Sequence, residues 1–74
     1  MKYTMQTESG AVYAIDEEAL TWRRVGTVPV HGLERNEGKL TDEVDAIIGQ
    51  RARIWDAEVG PITTTRVVRL ELTA

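Results

Sequence analysis

Lys2-Tyr3-Thr4-Met5-Gln6-Thr7-Glu8-Ser9-Gly10-Ala11-Val12-Tyr13-Ala14-Ile15-Asp16 is the stretch that decides the fold. Its first six residues alternate, with Tyr3, Met5 and Thr7 on one side and Lys2, Thr4 and Gln6 on the other. That is the period-two pattern of a half-buried strand. Glu8-Ser9-Gly10 follows as a three-residue hairpin loop whose last position needs left-handed backbone, where glycine carries no Cβ penalty. Alternation then resumes, with Ala11, Tyr13 and Ile15 on one face. Val12 and Ala14 on the other face suggest a strand partly covered on both sides. The stretch reads as an antiparallel hairpin.

The same punctuation recurs at Asn36-Glu37-Gly38 and Glu58-Val59-Gly60. Asp16 to Ala19 is a polar turn. Leu20 to Val25 then alternates, with Leu20 and Trp22 inward and Thr21 and Arg23 outward. Short connections between neighbouring strands make these three a meander. Pro29 cannot donate to a ladder, so Val28-Pro29-Val30 reads as a sheet edge or a loop. Leu33 to Leu40 reads as a small hairpin about Asn36-Glu37-Gly38, returning Leu33 and Leu40 to the core.

Further along, Gln50 to Ala57 alternates with Ala52, Ile54 and Asp56 on one face and Arg51, Arg53 and Trp55 on the other. Ile62 to Thr73 is the longest strand, with Ile62, Thr64, Val68, Leu70 and Leu72 on its inner face. Arg66 interrupts that face, which points to a bend or to a strand whose two ends serve different sheets. Between Leu40 and Gly49 two readings stand. Leu40, Val44, Ile47 and Ile48 share a helical face, with Thr41 as N-cap and Gly49 as stop. Val44, Ala46 and Ile48 equally fit a strand.

The chain therefore reads as one mainly β domain over residues 1–74. It is a small antiparallel sheet or barrel of about six strands, with at most one short helix near 41–48. Abundant Val, Ile and Thr agree with this, since a branched Cβ suits a pleated surface. There is no cysteine, which excludes disulfides and thiolate metal sites and fits a cytoplasmic setting. No apolar run approaches a membrane span, so no membrane association is expected.

Tyr3-Thr4 through Thr7-Glu8-Ser9-Gly10, the segment Tyr13-Ala14-Ile15-Asp16 and the late Thr64-Thr65-Arg66-Val67-Val68 resemble small uncharacterised proteins of actinobacteria and their phages. Those share a T-x-S-G-x-x-Y-x-I-D start. The resemblance spans most of the chain and implies a cytoplasmic accessory protein, including one encoded by a phage. It brings no catalytic or binding residue with it.

Chemistry is sparse. His31 is the only histidine and Ser9 the only serine, and neither has partners at catalytic spacing. No phosphate-binding loop or dinucleotide fingerprint is present, and Asp42, Glu43 and Asp45 lack the central glycine of a calcium loop. No catalytic residue, metal or cofactor is expected, and the chain does not read as an enzyme. The one suggestive set is Arg51, Arg53 and Trp55 on one strand face, with Arg66 or Arg69 on a neighbouring strand. Tryptophan and arginine dominate interface hot spots, so this face suits an interaction module that binds another protein or itself. The same face could hold single-stranded nucleic acid by charge and stacking, which a net charge of −3 disfavours. The plainest reading is structural, with Trp55 filling the second side of the sheet under snorkelling arginines.

Overall fold

The computed structural model describes residues 1–25 and 37–73, so the expectations for Pro29, His31 and Leu33 lie outside the described residues. Six strands follow in order: β1 Lys2–Thr7, β2 Val12–Asp16, β3 Thr21–Arg24, β4 Glu37–Lys39, β5 Arg51–Asp56 and β6 Gly60–Leu72. They form one sheet in the order β4-β3-β2-β1-β6-β5, with every neighbouring pair antiparallel. The meander of β1, β2 and β3 stands as expected. The long strand does serve two partners, because the first half of β6 pairs with β5 and its second half with β1.

The sheet curls into a half-barrel because β6 carries two irregularities. Arg51 lies opposite Arg66 but Arg53 lies opposite Thr63, which leaves an extra residue on β6. There the Ala52 N–H donates to the Thr64 hydroxyl at 3.1 Å, replacing a ladder carbonyl. The second shift falls between Gln6 opposite Arg69 and Thr7 opposite Val67. Bulges bend the strand and add twist. They also reset which residues face in. Strict alternation puts Val68 in the core and Arg66 across it; instead Val67 is fully buried while Val68 and Arg66 face out.

Curling brings the two edge strands together at one bridge, between Leu40 and Asp56. The Ala57 N–H donates to the Lys39 carbonyl at 2.8 Å and the Thr41 N–H to the Trp55 carbonyl at 2.9 Å. These contacts occupy edge groups that would otherwise template aggregation.

Two of the three glycine turns behave as read, with Gly10 at φ 91° and Gly60 at φ 83°. The third does not. Gly38 lies within β4, opposite Trp22, and is no turn residue. A Cβ there would overlap the Asp56 carboxylate and lie 2.8 Å from Trp22 Nε1. Close approach, and not backbone sign, is what requires this glycine. Leu20 also departs from expectation: it is exposed and sits at φ 54°, ending the turn from Asp16.

The stretch from Thr41 to Gln50 forms neither helix nor regular strand. Neighbouring backbones capture it instead, as Asp45 N–H donates to the Arg53 carbonyl at 3.3 Å and Gly49 N–H to the Val67 carbonyl at 2.8 Å. A helix of two turns has too few bonds to compete with such anchors. Leu40 and Val44 are buried, whereas Ile47 and Ile48 remain 57% and 60% exposed.

Inside the curl, Met5, Ile15, Trp22, Ile54 and Val67 are fully buried. The Trp22 and Tyr13 rings lie 6.3 Å apart at 52°, a tilted aromatic pair. Trp22 Nε1 donates to Asp56 Oδ2 at 2.8 Å, linking β3 to β5 across the core. The other Asp56 oxygen accepts from the Glu58 and Val59 amides at 2.9 and 3.0 Å. A carboxylate only 3% exposed is thus met by three N–H donors. It closes the half-barrel and starts the last hairpin at once.

Candidate binding face

Alternation on β5 buries Ala52, Ile54 and Asp56, so Arg51, Arg53 and Trp55 point away from the core. Arg51 and Arg66 are directly opposite each other on the β5–β6 ribbon. Like charges in that position repel. The Arg53 guanidinium lies 5.5 Å from the centroid of the Trp55 ring, in cation–π range. Trp55 itself is half-buried, opposite Pro61. Among the described residues, no carboxylate lies within salt-bridge distance of Arg51, Arg53 or Arg66.

Arg69 stands apart from this group. It is opposite Gln6 on the β1 side of β6, beyond the second bulge, and its guanidinium is 3.3 Å from Glu71. The structure therefore gathers Arg51, Arg53, Trp55 and Arg66 on one ribbon and leaves Arg69 locally neutralised. Alternation alone shows the first three. The pairing with Arg66 depends on the bulge at Thr64 and Thr65, which periodicity does not announce.

The titrating groups lie elsewhere. Burial, then the negative charges of Glu17 and Glu43, push the Tyr3 phenol up to about 12. Burial also raises Tyr13, against a smaller opposing pull from the Arg24 charge. The Ala19 amide, aided by that of Glu18, holds the Asp16 carboxyl below its usual value. None of these groups is poised to exchange a proton near neutrality.

A groove of about 700 Å³ lies at strands β1 to β4, lined by Lys2, Ala14, Asp16, Thr21, Arg23 and Lys39 among others. Its walls alternate in charge, and among the described residues no nucleophile–base pair faces it. Among the described residues no group of three or more His, Cys, Asp or Glu could hold a metal ion, and no helix is long and apolar enough to cross a membrane.

One residue the sequence reading did not single out is Arg24. It differs from its neighbour: Arg23 is exposed and Arg24 is buried. Its place two residues after Trp22 was the available signal, since alternation puts both on the inner face.

No protein-family model matches the chain, and comparison with curated proteins and with solved structures gives no match.

Proposed function

We propose that this protein is a non-enzymatic interaction module whose β5–β6 ribbon docks an acidic segment of another protein. The observation that carries the reading is the pair Arg51 and Arg66, opposed on neighbouring strands with no carboxylate beside either among the described residues. Two cations placed to repel each other gain most from an anionic partner that bridges them, and arginine forks suit bidentate carboxylates. Trp55 and Arg53 supply the anchor of the same face. The reading fits a cytoplasmic accessory role, including a phage-encoded one that meets a host protein. A second copy of the chain is the other protein partner this face suits, since Asp42 and Glu43 are exposed acids on the same molecule.

Single-stranded nucleic acid is the second reading, favoured by arginines flanking an aromatic ring. Two facts count against it. Arg53 already covers one face of Trp55, which removes a stacking surface, and the net charge is −3. The test is recovery of partners from lysate on wild-type protein and on Arg53→Glu, with and without nuclease, beside thermal melts of both. Lost recovery with an intact melt, insensitive to nuclease, supports the protein reading. Recovery lost on nuclease treatment supports the second. Unchanged recovery on Arg53→Glu contradicts both.

A further inference from the structure

We propose that the inner end of the β2–β3 hairpin is a buried anion site, in which Arg24 binds a small oxyanion, a carboxylate or a phosphate. Arg24 faces inward from β3, opposite Tyr13 on β2, and is only 7% exposed. Its Nε, Nη1 and Nη2 are all enclosed, and among the described residues none has a hydrogen-bond partner. Among the described residues the other buried polar side chains are bonded: Asp56 to Trp22, Thr7 to the Ala11 carbonyl, Thr64 to the Ala52 amide and the Thr65 carbonyl.

An unpaired guanidinium is among the costliest groups to bury, and unlike lysine it cannot escape by losing its proton. Five N–H donors in a planar fork match two oxygens of a carboxylate or phosphate. Tyr13, directly opposite on β2, is buried beside it. Solvent is one residue away. Val25, whose N–H bonds to the Val12 carbonyl at 2.8 Å, is exposed at the open end of the hairpin. An oxyanion bound to this fork would be held in a dry site, where charge-assisted bonds are strongest.

The test is a set of thermal melts of the whole chain in sodium chloride, sodium acetate and sodium phosphate at matched ionic strength. Acetate or phosphate should raise the wild-type Tm saturably, by about 5 °C relative to chloride. Whichever anion acts names the ligand class. Arg24→Met should remove the response. A response that survives in Arg24→Met overturns the proposal, since it places the ion on exposed arginines, and so does a wild-type response no larger than that to chloride. Should Arg24→Met not fold, the Arg24 Nε–H resonance of the ¹⁵N-labelled wild type decides. Saturable movement with the same anion supports the site, and an unmoved signal overturns it.

Discussion

Replacing Gly38 by alanine inverts the usual effect of that substitution. In an ordinary strand, glycine to alanine stabilises by about 0.5 to 1 kcal/mol, because the unfolded chain loses freedom. Here the new methyl would occupy the space of the Asp56 carboxylate and crowd Trp22 Nε1 at 2.8 Å. Neither side can yield cheaply. Gly38 is held by its pairing with Trp22, and Asp56 by the Glu58 and Val59 amides. Turning the carboxylate aside gives up the Trp22 bond and strands a buried indole N–H. Losing a bond to a charged acceptor and leaving its donor unpaired costs about 3 to 5 kcal/mol in total. A domain of this size is stable by about 4 to 11 kcal/mol, so the loss takes a large share of it. Gly38→Ala should therefore lower Tm by roughly 15 to 30 °C, measured by circular dichroism with tryptophan emission as a second probe. Equal or greater stability in the variant would refute the reasoning.

Other consequences are smaller or act in other conditions. Leu20 takes the left-handed position four residues after Asp16, where Gly60 stands four residues after Asp56; Leu20→Gly should stabilise by about 1 kcal/mol in urea unfolding, and a loss would show that Leu20 packs more than it strains. Thr64→Val keeps the shape but leaves the Ala52 N–H unpaired, so a loss of about 1 to 3 kcal/mol is expected, with an unchanged midpoint contradicting the bulge bond. Stability should also fall between pH 10 and 12. Unfolded tyrosine releases its proton near 10 while folded Tyr3 holds it to about 12, so the folded state binds more protons in that window and rising pH disfavours it. Tyr3→Phe should flatten that part of the profile, and an identical profile in the variant would contradict it.

What the chain disclosed in advance follows from the range of each interaction. Alternation and turn glycines are local, and they placed β1, β2, β3, β5 and the hairpins at Gly10 and Gly60. Bulges are not local signals. The extra residues on β6 depend on what β5 and β1 present across the ladder, so Val67 and Val68 exchanged roles and Arg66 came to face Arg51. Gly38 looked like a turn because a glycine needed for close approach resembles one needed for its φ; the difference lies in Asp56, eighteen positions away. The segment from Leu40 to Gly49 carried two weak patterns and took neither, since bonds to Arg53 and Val67 outweighed both. The arginines of the candidate face were legible on β5 and only half so on β6.

The most direct test of a binding face on the β5–β6 ribbon is an NMR titration of the ¹⁵N-labelled protein with two probes, an octaglutamate peptide and an oligothymidine. Each is run at low and high salt, following the Trp55 indole N–H and the backbone amides. Saturable shifts are expected with octaglutamate, confined to Arg51, Arg53, Trp55, Arg66 and their neighbours, with little response to oligothymidine. Absent shifts, or shifts centred on other strands, would contradict it.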